Sequence, residues 1–366
     1  VGPVSQQWGG QGGQPWGQQG QQPWGQQWSR PGAAGNPWGG GTQPGPPQWG
    51  AQQSPQQWGG QPGQSKKSGG LGKVLLIAGG LVVAAVLGLV IWNLTQPQYK
   101  NDNYQIPPAT ANAPELPINE NPAEWDAVLT RNALYQQTVD SPVRCQMNPE
   151  RLDPDGTPEQ VQAYLQQEMN CLYRVWGPTL DRTGKYHTFV PTVTVYTDSI
   201  TTACGTKPKE PNAFYCGADQ QLYFSMDMFR HPATDTARVH PVADFIMAHE
   251  YAHLLQGRVE IAGVRYQSAD QLTKSEWLTL GRRNELQADC LAGMYTAAVA
   301  QSRGYGQTEV AAITALTQQI GDDSGGRTAP GDHGTMASRE YWSQLGMSTT
   351  EVAKCNTYAA SPDLVR

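Results

Sequence analysis

Val242-Ala243-Asp244-Phe245-Ile246-Met247-Ala248-His249-Glu250-Tyr251-Ala252-His253-Leu254-Leu255-Gln256-Gly257 lies past the middle of a 366-residue chain, and the rest of the reading turns on it. The apolar positions around the two histidines predict a helix over about 239–256, with Gly257 ending it as a left-handed cap. Residues four apart on a helix share a face, so the imidazoles of His249 and His253 can grip one metal ion. Glu250, next to the first histidine, then points at the ion's open position, where a carboxylate can take a proton from water. The H-E-x-x-H spacing therefore implies a zinc site of the kind that hydrolyses peptide bonds.

A catalytic zinc needs a third protein ligand. The template H-E-x-x-H-x-x-G-x-x-H is excluded, because Gln256 and Val259 stand where it requires Gly and His. Glu260 is close by, but it lies beyond the expected helix end and has no supporting pattern. The better candidate is Glu285, in Asn284-Glu285-Leu286-Gln287-Ala288-Asp289, on a second helix expected from about Lys274 to Ser302. Glu285 and Asp289 are four apart and share a face, so one carboxylate can bind the ion while Asp289 accepts the remaining N–H of a ligand imidazole. A solvated acidic face beside Arg282 and Arg283 is the plainer alternative for this pair.

The flanks divide the chain. Residues 1–70 form a Gly/Gln/Pro/Trp-rich tail; its first 65 positions hold no Asp, Glu, Leu, Ile, Met, Phe, Tyr or Cys, too little to bury, so disorder is expected. Seven of the twelve Trp lie there, which fits a flexible tether or weak multivalent self-association. Residues 71–94 read as one transmembrane helix, apolar and uncharged from Val74 to Leu94, with Trp92 as an interfacial anchor. Lys66, Lys67 and Lys73 precede it, which puts the tail in the cytoplasm and the remainder outside the cell membrane. Residues 95–120, rich in Pro, read as a linker, and 121–366 as the extracytoplasmic domain. All 31 acidic residues and 21 of the 25 basic ones lie beyond position 94, making the outer part about −10, with no basic cluster for nucleic acid.

Cys145, Cys171, Cys204, Cys216, Cys290 and Cys355 all fall on the outer side, an even count that predicts disulfides in an oxidising compartment. Proximity in sequence favours Cys204 with Cys216 and then Cys145 with Cys171, which leaves Cys290 with Cys355. A helix should follow the Thr157-Pro158 start and run over Val161 to Trp176. Strands are expected over Thr188–Thr197 and Gln221–Phe229, and a last helix over Ser338–Leu345. The resulting class is α+β, a small sheet with two central metal-site helices.

His249 to Gln256 together with Glu285-Leu286-Gln287-Ala288-Asp289-Cys290-Leu291-Ala292-Gly293 resembles the neutral zinc metallopeptidases of bacteria, membrane-anchored proteins of the gluzincin type. Also similar are Ala203-Cys204-Gly205, Phe214-Tyr215-Cys216-Gly217-Ala218-Asp219-Gln220 and His333-Gly334-Thr335, so the likeness covers about residues 165–360. The resemblance implies a zincin-like domain holding one Zn2+ through His249, His253 and Glu285, with Glu250 as general base and a peptide or protein as substrate. His333, which matches a family histidine, is the candidate donor to the oxyanion; as a loop residue it equally fits a cap for the following helix. The strand at Gln221–Phe229 is expected to form the edge along which an extended peptide pairs. Tyr251 is expected to pack, and His187, His231 and His240 to be surface residues. The competing reading is a membrane-tethered binding or scaffold protein with a structural or degenerate metal site; partners of the tail are not readable.

Overall fold

The structure, a computed structural model, describes residues 98–230, 238–328 and 331–366. The tail, the expected transmembrane segment and His231 lie outside the described residues. Among the described residues no helix is long and apolar enough to cross a membrane.

The chain enters as an extended, Pro-rich segment, as its composition demands. It is no free spacer, however: residues 98–120 lie along the domain. Lys100 bridges to Val143 and Thr110 to Pro191. The Pro114 carbonyl accepts from Gln220 Nε2 at 2.7 Å and from Arg258 Nη1 at 3.1 Å. The folded body thus begins some twenty residues before the boundary expected at 121, because backbone carbonyls of the extended stretch satisfy buried side-chain donors.

A short helix α1 (Trp125–Thr130) precedes α2 (Pro158–Asp181). Thr157 caps α2 through a reciprocal capping box with Gln160, and Pro158 occupies the first turn. Its Val161, Tyr164, Leu165, Leu172, Val175 and Trp176 recur at helical spacing and are buried against the sheet and core.

Five strands follow: β1 (Val193–Tyr196), β2 (Ile200–Thr202), β3 (Gly205–Lys207), β4 (Ala213–Cys216) and β5 (Gln221–Ser225). β2 and β3 form an antiparallel ribbon. The main sheet has the order β1-β5-β4, with β5 parallel to β1 and antiparallel to β4. All five residues of β5 are buried, as a central strand requires. The expected edge over Gln221–Phe229 is therefore corrected: β5 is interior, the chain after Ser225 turns into the short α3 (Asp227–Arg230), and β1 and β4 are the edges, β4 being the one that contacts Glu250 of the motif.

α4 (Val242–Arg258) carries the motif and is buried nearly all round, so it runs through the core. Gly257 does not cap it. The left-handed residue is Glu260 (φ 70°), followed by α5 (Ile261–Gln267). Gly257 stays inside the helix, where a Cβ would lie 3.2 Å from Leu116 Cδ2 and 3.6 Å from Tyr215 Oη. Its smallness lets the entry segment and β4 approach α4.

α6 (Lys274–Arg303) is 30 residues long, opened by a Thr273/Glu276 capping box and closed by left-handed Gly304. It packs on α4, then α7 (Gln307–Thr317) leads to α8 (Met336–Ser348). α6 and α8 touch backbone to backbone: a Cβ at Gly346 would fall 1.9 Å from the Cys290 carbonyl, and one at Gly293 2.3 Å from the Ser343 carbonyl. The six cysteines pair as sequence proximity indicates, Cys145–Cys171, Cys204–Cys216 and Cys290–Cys355, the last fastening the C-terminal segment to α6.

Candidate metal centre

α4 and α6 cross so that His249, His253 and Glu285 converge at the floor of a cleft of about 1040 Å³. Glu285 Oε2 lies 3.2 Å from His249 Nε2 and 3.4 Å from His253 Nε2. The two Nε2 atoms are 3.2 Å apart. Four ligands set tetrahedrally at bond lengths of about 2.0–2.1 Å are roughly 3.3–3.4 Å from each other, so this triangle has the size of one face of a zinc coordination shell.

The hydrogen bonds behind the imidazoles fix which nitrogen faces inward. Asp289 Oδ1 is 2.8 Å from His249 Nδ1. Gln256 spends its Nε2 on the Asn284 carbonyl (2.7 Å) and Gln287 Oε1 (3.1 Å), which leaves Gln256 Oε1 to accept from His253 Nδ1 at 2.8 Å. With Nδ1 engaged behind each ring, Nε2 is the nitrogen that both histidines turn to the triangle. Two imidazole nitrogens and a carboxylate oxygen converging on one point are a donor set that fits a divalent metal.

The carboxylates around the triangle favour positive charge at this point, carried by a proton on His249 until an ion replaces it. Burial works against a positive His249, but the Asp289 and Glu285 carboxylates outweigh it and push its pKa up to about 10. Burial also opposes charge on Glu285 and Asp289. His253 and His249 nevertheless hold Glu285 well below the usual carboxylate range, and Arg339 with His249 lowers the pKa of Asp289. Arg339, from α8, donates from Nε to Asp289 Oδ2 at 2.8 Å and from Nη2 to Oδ1 at 2.9 Å. Asp289 is thereby fixed from both sides, and it is fully buried.

Glu250 sits beside the triangle, its Oε2 accepting the Tyr215 N–H of β4 at 2.9 Å. Burial raises its pKa, against the lowering effect of His249 and His253. This contact ties the carboxylate to the edge strand. His333 also lines the cleft, its Nδ1 3.0 Å from Asp332 Oδ1, and its charge is felt at Glu285. It makes no hydrogen bond to the triangle.

Other sequence candidates fall elsewhere. Glu260 binds Lys185 Nζ at 2.7 Å and Tyr186 Oη at 2.8 Å, away from the triangle. Tyr251 packs in the core and donates to the Phe189 carbonyl. His187 is exposed beside Asp181, whereas His240 is half-buried against Tyr305 rather than free on the surface. A second cluster, Cys145, Glu168 and Cys171, offers no thiolate because its cysteines are bonded to each other. Sequence reasoning missed Gln256 and Arg339. Gln256 could have been found, since it stands one turn after His253; Arg339 lies 50 residues from Asp289 and carries no local signal.

Two histidines one turn apart on one helix, with a glutamate from a second helix, form a group that could hold one metal ion, of the two-His, one-carboxylate kind. Residues 128–358 match the family described as "Putative neutral zinc metallopeptidase", and the chain belongs to that family. It is 29% identical over 211 residues to the uncharacterized protein Rv2575 of Mycobacterium tuberculosis, covering 52% of this chain and 69% of that one. It is also 29% identical over 194 residues to the uncharacterized protein YpfJ of Escherichia coli K12, covering 51% and 67%. No solved structure matches.

Proposed function

We propose that the chain is a zinc-dependent peptidase, with His249, His253 and Glu285 as the ligands of one zinc ion and Glu250 as general base. The observation that carries this is the donor triangle with Glu250 at its side, facing an edge strand. The bound zinc would supply Lewis acidity, making water a better nucleophile at neutral pH and polarising the scissile carbonyl. Glu250 takes the proton of the attacking water and returns it to the leaving amine. Its Oε2 is engaged by the Tyr215 N–H, so Oε1 is the oxygen that does this. Asp289 and Gln256 hold the two imidazoles in register, which keeps the ligand atoms preorganised. His333 is the donor assigned to the developing oxyanion, an imidazole whose pKa Asp332 raises against the opposing effect of burial.

An extended substrate pairs with β4 rather than β5. Backbone groups alternate sides along a strand, so the Tyr215 N–H facing Glu250 puts Ala213 on the same open edge, available for peptide pairing. The α+β arrangement supports a zincin-like reading of the domain. Membrane anchoring through residues 71–94, with the domain outside, is supported by the apolar run and by three disulfides.

The ligand assignment is tested by zinc content. Wild type should hold one zinc per chain, and His249→Ala, His253→Ala and Glu285→Ala should each lose it while Glu260→Ala keeps it. A Glu285→Ala chain that retains zinc, or a Glu260→Ala chain that loses it, overturns the assignment.

A further inference from the structure

Arg265, on α5, lines the same cleft as the metal triangle and His333. It is only 8% exposed, and among the described residues none of its five N–H groups donates a hydrogen bond; Nε is fully enclosed and without a partner. The other buried arginines are different. Arg258 donates to the carbonyls of His187, Pro114 and Glu115, Arg303 to Asp244 and the Glu150 carbonyl, and Arg339 to both oxygens of Asp289. A buried guanidinium with unmet donors is costly in a native fold and marks a group kept for something outside the resting chain.

Asp332 does not satisfy it. Its Oδ2 is 3.8 Å from Arg265 Nη2, too far for a hydrogen bond, and its Oδ1 is engaged by His333 Nδ1 at 3.0 Å. The guanidinium is nevertheless held in place. It stacks 4.6 Å from the Trp277 ring centroid and 5.8 Å from that of Tyr266. Gly281 of α6 leaves the room: a Cβ there would come within 3.0 Å of Arg265 Nη2 and 2.7 Å of Asp332 Cβ. The guanidinium is thus oriented, and among the described residues without a hydrogen-bond partner, inside a substrate-sized cleft, with Asp332 between it and His333.

We propose that Arg265 is the specificity-determining residue of this cleft and recognises a carboxylate of the peptide substrate on the His333 side of the metal centre. This rests on the peptidase reading above. A planar guanidinium matches a carboxylate with two parallel hydrogen bonds, and Arg is the residue suited to that pairing. Asp332 and Asp270 in the same wall temper the positive field, which suits a monoanion. The carboxylate can belong to an acidic side chain or to a free C-terminus.

The test uses the zinc-loaded full chain with internally quenched peptides that carry Glu or Gln at each position and a free or amidated C-terminus. Wild type should favour carboxylate peptides in kcat/KM by about 10- to 100-fold, the difference residing in KM, as expected for hydrogen bonds to a charged group. Dependence on Glu against Gln assigns the side chain, and dependence on free against amidated ends assigns the terminus. Arg265→Gln should abolish the preference while still cleaving neutral peptides, and Arg265→Lys, which keeps the charge without the fork, should retain part of it. Anisotropy of labelled peptides on zinc-loaded Glu250→Gln gives a readout without turnover: the carboxylate peptide should bind more tightly than its amide, and Arg265→Gln should erase the difference. Equal cleavage of both peptide types by wild type, or a preference unchanged in Arg265→Gln, overturns the inference and leaves the peptidase reading standing. If wild type cleaves nothing, the peptidase reading fails and the binding arm alone decides whether Arg265 takes a carboxylate.

Discussion

Asp289 serves two masters, a ligand imidazole and a buried arginine, and the two can be separated by substitution. In Asp289→Asn the amide can keep an oxygen at the His249 Nδ1 position, 2.8 Å away, but it then turns an NH2 toward Arg339 Nε, which also donates at 2.8 Å. The Arg339 side chain is only 3% exposed, so it is left as a buried cation without its counterion. Breaking one partner of a buried ion pair costs about 3–5 kcal/mol. Loss of an outer hydrogen bond to a metal-bound histidine costs roughly 10- to 100-fold in metal affinity. We therefore expect Asp289→Asn to lower the stability of the metal-free chain by about 3–5 kcal/mol and to weaken zinc by only about tenfold, while Asp289→Ala loses toward 100-fold. Denaturant unfolding of the metal-free chain and zinc competition against a chromophoric chelator measure the two quantities. Arg339→Met added to Asp289→Asn should recover stability, since it removes the stranded charge. Stability within 1 kcal/mol of wild type in Asp289→Asn, or no recovery in the double variant, refutes the reasoning.

Glu168 makes a separate statement about pH. Burial and the nearby Asp244 push its pKa up to about 8, against the lowering effect of Arg303, which leaves one cation for two buried carboxyls. A carboxyl whose folded pKa lies above its unfolded value stabilises the fold at low pH and loses that contribution as pH rises. Stability should therefore fall between about pH 4.5 and 8 by at most about 1.4 kcal/mol per pH unit, and Glu168→Gln should flatten that slope in denaturant titrations. Gly346→Ala places a Cβ against the Cys290 carbonyl and should cost about 3 kcal/mol or more by forcing α6 and α8 apart, read as a lowered unfolding midpoint. Glu260→Ala should cost about 1–2 kcal/mol through the lost Tyr186 and Lys185 contacts with zinc content unchanged, which denaturation and metal analysis check together.

What the sequence made legible was whatever repeats at helical spacing or stands next in line. The His249/His253 pair, the Glu285/Asp289 pair and the Thr157 cap are all one-turn relationships, and each falls where the spacing puts it. Two cysteine pairs followed from proximity because they close loops of 12 and 26 residues, and Cys290–Cys355, across 65, followed as the remainder. The edge strand was not legible: β4 is only four residues ending at Cys216, and the alternating apolar run over Gln221–Phe229 drew the reading instead, although it runs past β5 into α3. Nor was the anchoring of residues 98–118, since the acceptors there are backbone carbonyls that any residue offers. The end of α4 was misplaced by two residues, because Gly257 looks like a cap but is small for packing, and the left-handed position went to Glu260, whose carboxylate is held by Lys185 and Tyr186.

The central claim is that Glu250 performs chemistry at a zinc ion held by His249, His253 and Glu285, and one paired measurement reaches it most directly. Zinc content and peptide hydrolysis are recorded together for the full chain and for Glu250→Gln. The account predicts one zinc per chain in both, with hydrolysis in wild type and at least about 100-fold slower turnover in the variant. One zinc in both chains with no cleavage of any peptide by wild type, or a Glu250→Gln chain as active as wild type, would contradict it.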